Sequence, residues 1–294
     1  MAEFRGDQAE GLRRMLDHHT ARIVTLASGC NGVGKTSVVV NLATVLAERG
    51  MRVLLIDENH APASICTLFG LSPRFTLEHV ARRACMLEDV LLPAAHGVSV
   101  LAAAGAMDAL PTLRAAAREG LIADFGSIER RFDIVLVDTP CDWTYGAELL
   151  SGVIHDTIVV SSAATRAVTA SYALIKRLSS VRDQRRFHVL LNRVELEGNA
   201  RVILDNLTGV ARSHLHMSVE SLGYVPRDER LRIADAGFRP VVNVHPSSPS
   251  AARFRGIADS IAGWSGASVR PGLIDRFMQR VIAGTPTLFA NAGV

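Results

Sequence analysis

Short apolar runs alternate along the chain with stretches whose apolar residues fall at helical spacing. The runs 23–27, 53–56, 98–101, 134–137, 157–160, 189–191 and 222–225 are mostly Val, Ile and Leu, and each is too short for an independent helix. Continuous runs of this length read as strands buried on both faces. Between them, 37–49, 111–131, 167–179, 199–214 and 250–264 repeat apolar residues every three or four positions, the period of a helix packed on one side. Strands alternating with helices predict an α/β fold, a mostly parallel doubly wound sheet covered on both faces. Chemistry in such a sheet gathers at the carboxyl ends of the strands. Two runs end there on an acid, at Asp57 and Asp138. No internal repeat is visible.

The two ends of the chain depart from this pattern. Residues 1–20 are polar, and the stretch around Asp7, Gln8, Leu12 and Arg13 can form a short helix with Gln8, Leu12 and Met15 or Leu16 on one face. A helix this short, weakened by Gly11, falls below the ~12–15 residues needed for stability alone, so it is expected to order on a partner. Beyond residue 265, Pro271-Gly272 precedes apolar pairs spaced four apart, Leu273/Ile274, Phe277/Met278 and Val281/Ile282, with Asp275, Arg276, Gln279 and Arg280 opposite. This reads as an amphipathic helix behind a linker, suited first to a membrane surface, second to a protein groove or its own domain. The chain thus divides into 1–20, a domain over 21–265, and 266–294.

Composition adds limits. With 48% hydrophobic and 21% charged residues, the chain is an ordinary globular protein. A net charge of +3 and no contiguous basic stripe give no reason to expect a specific nucleic acid. No apolar run approaches the ~20 residues of a membrane span, and the N-terminus lacks a signal-peptide core, which predicts a cytoplasmic protein. Cys30, Cys66, Cys85 and Cys141 are scattered without metal-ligand spacing. Of 32 basic residues only Lys35 and Lys176 are lysine. A lysine at position 35, in a chain that otherwise uses arginine, suggests a place where only a slim ammonium fits.

That place is a phosphate loop. Gly29-Cys30-Asn31-Gly32-Val33-Gly34-Lys35-Thr36 fits G-x-x-x-x-G-K-[ST] between a predicted strand and a predicted helix that opens on Ser37. The glycines let backbone N–H groups curl towards a polyphosphate at the helix mouth. Lys35 is placed to reach the β- and γ-phosphates and Thr36 to ligate Mg²⁺. Asp138 is the second acid that such a metal needs. Asn192-Arg193-Val194-Glu195 superficially mimics the guanine motif N-K-x-D, which keeps GTP as a minor alternative.

These residues resemble the MinD/ParA family of ATPases, whose deviant phosphate loop reads K-G-G-V-G-K-T followed by T, S or N. The resemblance continues through 53–57, 133–140, the pair Asn192-Arg193, 223–228 and 240–242, and so covers about residues 21–262. Within the family, the opening Asp7-Gln8-Ala9-x-x-Leu12-Arg13, the run 171–176 and the amphipathic tail resemble flagellar-number regulators of the FlhG (FleN) type.

The resemblance implies that Gly29 to Ser37 hold the phosphates of ATP, that Thr36 and Asp138 serve Mg²⁺, and that Asn192, Arg193, Pro226, Arg227 and Asp228 surround the adenine. It implies an ATP-dependent homodimer that presents Leu273, Ile274, Phe277, Met278, Val281 and Ile282 to the inner membrane, leaving the protein cytoplasmic but peripherally attached. It further implies that the segment with Asp7, Gln8, Leu12 and Arg13 activates an FlhF-type GTPase, with Gln8 entering the partner's active site, and that the protein restrains a flagellar transcription activator. Two residues depart from the family pattern. Cys30 stands where a signature lysine is expected, and Asn59 stands where an aspartate positions the attacking water. Lys35, Asn59 and Asp138 remain the residues nearest the chemistry. Losing both family groups predicts a protein that binds ATP well and turns it over ~10²–10⁴-fold more slowly. Glu58, next to Asp57, is expected to point elsewhere by strand alternation. MinD-like division-site placement, ParA-like partitioning and a non-hydrolysing nucleotide-gated scaffold are the alternatives.

Overall fold

The computed structural model describes residues 21–59, 64–94, 97–103, 120–121, 124–125, 131–141, 156–179, 186–215 and 218–264. The expected helices at the two ends of the chain, with Asp7, Gln8, Leu12 and Arg13 and with the apolar pairs 273–282, lie outside these residues, as does most of 111–131.

Among the described residues one sheet of eight strands runs in the order β3-β4-β2-β5-β1-β6-β7-β8. The strands are β1 (Arg22–Ala27), β2 (Val53–Asp57), β3 (Leu91–Pro93), β4 (Val98–Ala102), β5 (Ile134–Asp138), β6 (Asp156–Ser162), β7 (Arg186–Val194) and β8 (Val219–Pro226). The pairs from β4 to β8 are parallel, and only β3 runs antiparallel, against β4. This is the α/β doubly wound sheet expected from the alternation. The register sets Asp138 opposite both Leu26 and Asp57, so β1, β2 and β5 end level with one another. The chain leaves β1 into the glycine-rich loop at this line, where successive strands move to opposite sides of β1.

Alternation along the buried strands feeds two cores. Ile23, Leu54, Ile56, Val135 and Val137 face one side, where Leu174 and Leu178 of α4 (Thr165–Ser179) and Leu204 and Leu207 of α5 (Glu197–Leu215) pack. Val24, Leu26, Val53, Leu55 and Leu136 face the other, against α1 (Lys35–Glu48) and α8 (Pro249–Ala262). Helix α1 is buried almost all round from Lys35 to Leu46. Its Val38-Val39-Val40 run is a weak helix former, so packing rather than propensity holds it. Its buried polar residues include Thr44, whose hydroxyl donates to the Val40 carbonyl at 2.8 Å, and Asn41. The Asn41 amide donates to the Ser37 carbonyl at 2.8 Å, and its oxygen accepts from the Val242 N–H at 3.3 Å, in α7 (Val241–Val244).

The apolar pattern missed the short elements α2 (Ile65–Leu68), α3 (Leu77–Ala81), the edge strand β3, α6 (Glu229–Ala236) and α7. All but α6 are too short to complete two periods of a pattern, and half of the residues of α6 are charged. No helix among the described residues is long and apolar enough to cross a membrane.

Candidate nucleotide site

The loop from Gly29 to Gly34 is shaped by what presses on it. A Cβ on Gly29 would lie 2.3 Å from the Ala170 backbone of α4, so no side chain fits there. Gly34 takes φ 81° in front of α1, and a Cβ would meet the Asn192 amide at 2.5 Å. Asn192, buried at the end of β7, donates from Nδ2 to the Val33 carbonyl at 2.9 Å. The next residue, Arg193, has φ 59° and donates from its guanidinium to the Gly32 carbonyl at 2.8 Å. With these carbonyls tied back to β7, the loop's N–H groups are left to face an anion.

Lys35 and Asp138 meet beneath the loop as a buried ion pair, Nζ to Oδ1, with Asp138 fully enclosed. Burial pushes the Asp138 carboxyl above its ordinary value, opposed by Lys35 and Thr36. A buried carboxylate beside a threonine hydroxyl is a hard oxygen set that fits Mg²⁺. Asn59 donates from Nδ2 to Asp138 Oδ2 at 2.9 Å and to the Asp138 carbonyl at 3.0 Å, so its amide is engaged with the acid expected to hold the metal.

The ends of β2 distribute their acids in an unforeseen way. Asp57 accepts the backbone N–H of Ile65 at 2.8 Å and of Cys66 at 3.4 Å, holding the start of α2, and its carboxyl is raised to about 6 by burial and by Asp138. Glu58 does not point away. It is 6% exposed, feels both Lys35 and Asp138, and is raised to about 8, chiefly by burial. The alternation argument fails because β2 ends at Asp57, one residue before Glu58.

Asn192, Arg193, Pro226, Arg227 and Asp228 line one cavity of about 650 Å³, together with Ser37 and the first turns of α6. Asp228 caps α6 by accepting the Arg230 N–H at 2.9 Å, and its other oxygen accepts the Ser250 hydroxyl at 2.6 Å and N–H at 3.1 Å, joining α6 to α8. Burial works against its charge, yet these donors hold its carboxyl below the usual range. Asp235 was not foreseen. It accepts the Ser37 hydroxyl at 2.9 Å and closes the cavity beside α1. Glu195, the residue that would read guanine, is exposed and paired with Arg227 at 2.6 Å on the cavity rim. Gly29, Cys30, Asn31, Gly32 and Val33 line a second cavity of about 500 Å³ with Cys141 and Arg166.

The family description "CobQ/CobB/MinD/ParA nucleotide binding domain" matches residues 24–241. The chain belongs to this family. Its similarity is high to the antiactivator FleN of Pseudomonas aeruginosa, 31% identical over 273 residues, which is 92% of this chain and 97% of that protein. The chain is therefore a FleN-like member of the MinD/ParA family. The septum site-determining protein MinD of Synechocystis is 26% identical over 255 residues, 82% of this chain and 90% of that one. Among solved structures, MinD in the MinC:MinD cell division complex of Aquifex aeolicus superposes with TM-score 0.67 at 22% identity over 86% of this chain and 100% of that one. MinD of Pyrococcus horikoshii, solved with Mg-ADP, superposes with TM-score 0.63 at 21% identity, covering 84% and 98%. These superpositions show that the MinD/ParA fold is shared.

Proposed function

We propose that this protein is an ATP- and Mg²⁺-binding regulator of flagellar number and placement, which binds the nucleotide firmly and hydrolyses it slowly. The observation that carries the reading is the phosphate loop over the buried Lys35–Asp138 pair, clamped by Asn192, in a chain similar to FleN along nearly its whole length. ATP lies with its phosphates on Gly29 to Ser37 and its base in the cavity bounded by Asn192, Arg193 and Pro226 to Asp228. Mg²⁺ would be held by Thr36 and Asp138, where it neutralises phosphate charge. Slow turnover is supported by Cys30, which carries no cation, and by Asn59, whose amide is spent on Asp138. ATP binding favours a homodimer. Output leaves through the chain ends: residues 1–20, with Asp7, Gln8, Leu12 and Arg13, stimulate an FlhF-type GTPase, the 273–282 segment meets the inner membrane surface, and the ATP form restrains a flagellar transcription activator. The Glu195–Arg227 pair on the cavity rim favours adenine over guanine, because the acid that would read guanine is already engaged.

The test is direct. Wild type is expected to bind ATP in the presence of Mg²⁺, while Lys35→Ala loses at least tenfold in affinity. Hydrolysis in single turnover should fall well below that of a MinD measured alongside. Full-length protein should accelerate GTP hydrolysis by an FlhF-type GTPase, and protein lacking 1–20 should not. ATP binding unaffected by Lys35→Ala would remove the reading, and stimulation that survives the truncation would remove its GTPase arm.

A further inference from the structure

The second cavity has a chemical character that the loop alone does not explain. Its lining is small and neutral, glycines with Cys30, Cys141 and Ser162, except for one charged side chain, Arg166 in the first turn of α4. Arg166 is exposed and makes no hydrogen bond or ion pair with any described residue. The other cations near the loop are committed: Lys35 to Asp138 and Arg193 to the Gly32 carbonyl. A triphosphate on this loop brings several negative charges beside Asp138, and even with Mg²⁺ on Thr36 and Asp138 a further cation at an otherwise neutral lining is electrostatically favoured. The base-side cavity and the Cys30-side cavity share no lining residue, and only the second is lined by the loop residues Gly29 to Val33. With the base in the first, the loop residues left to take the far end of the phosphate chain are those that line the second.

We propose that Arg166 is a phosphate-binding residue, which engages the terminal phosphate of ATP held on Gly29–Thr36 and supplies the cation that Cys30 does not. This rests on the reading of the loop as an ATP site. A guanidinium suits the role because its planar fork matches two phosphate oxygens at once, and because its long side chain spans a cavity that a cysteine leaves open. The role also makes a distinction that a plain surface arginine does not. ADP lacks the terminal phosphate, so Arg166 separates ATP from ADP, while Lys35 serves both.

The experiment is to measure ATP and ADP affinity, with Mg²⁺, for wild type, Arg166→Ala and Arg166→Lys, with thermal denaturation as a check on folding. Arg166→Ala is expected to weaken ATP by about 10- to 100-fold and ADP by less than about threefold, consistent with loss of a charged hydrogen bond. Arg166→Lys should recover part of the ATP affinity. An unchanged ATP-to-ADP ratio in Arg166→Ala, with wild type binding both nucleotides, overturns the proposal and leaves the nucleotide site standing. Wild type that binds neither nucleotide overturns both.

Discussion

At the scale of single residues, the site is governed by how one carboxylate is shared. Asp138 receives Lys35 on one oxygen and the Asn59 amide on the other. In this environment an asparagine is the residue that the nucleotide-free fold tolerates best, since its N–H₂ donates where an aspartate would set a second negative charge at hydrogen-bond distance. Two carboxylates that close cannot both ionise without cost. Asn59→Asp is therefore expected to lower the melting temperature of nucleotide-free protein at neutral pH and to raise ATP turnover with Mg²⁺ by about tenfold or more, because the metal relieves the repulsion and the restored carboxylate can orient water. Denaturation scans and single-turnover assays on the same preparation check the two halves. An undiminished melting temperature would show that an acid at position 59 is not repelled by Asp138.

At the scale of elements, what could be read in the sequence and what could not divide by length and polarity. The long buried strands and α1, α4, α5 and α8 declare themselves, because a run of Val and Leu or a 3.6-residue period persists for several turns. The phosphate-loop pattern from Gly29 to Thr36 and the strand-end acid Asp138 were legible because their spacing carries chemistry, whereas Asn192 was named for the adenine site only through the family resemblance. Edge strand β3 was not, being three residues ending in Pro93. Asp235 and Ser250 were not, because their value lies in partners 198 and 22 residues away. Glu58 was misjudged because a periodicity argument was carried one residue beyond its strand. Helix α6 shows what tertiary context supplies: it is short and polar, yet Asp228 caps it and ties it to Ser250 of α8. Asp228→Ala removes an N-cap and the inter-helix link together, which predicts a loss of about 1–2 kcal/mol in stability. It also predicts weaker nucleotide binding, as the wall of the base-side cavity loosens. Asp228→Asn, which can still accept the Arg230 N–H, should recover most of the stability. A Tm for Asp228→Ala equal to wild type would mean that α6 is held by other contacts.

At the scale of the whole molecule, the described chain enters and leaves at one point. Arg22, the first residue of β1, donates to the Trp264 carbonyl, the last described residue, at 2.5 Å and lies over its ring at 5.1 Å. His188 stacks on the same ring at 4.1 Å and meets Asp156 at 3.1 Å, while Arg22 pairs with the other Asp156 oxygen at 2.7 Å. At roughly 3.3 Å per residue, β1 carries this junction about 16 Å from the phosphate loop, at the opposite end of the sheet. Residues 1–20 and 265–294 therefore join the described chain at one cluster. Burial raises the Asp156 carboxyl, but hydrogen bonds from His188 and Arg22 outweigh it and hold the group below its ordinary value. A depressed carboxylate contributes stability that is present above the unfolded value of about 3.9 and is lost as pH falls through the folded value. Asp156→Asn is accordingly expected to cost about 3 kcal/mol near neutral pH, since it leaves Arg22 without its buried partner. The gap from wild type should begin to narrow below about pH 4, where Asp156 of the unfolded chain takes up its proton, and close once pH falls through the lower folded value. Urea denaturation at a series of pH values measures this gap. A gap independent of pH would assign the loss to packing around Trp264 rather than to the ion pair, and the cluster would then be held by the ring alone.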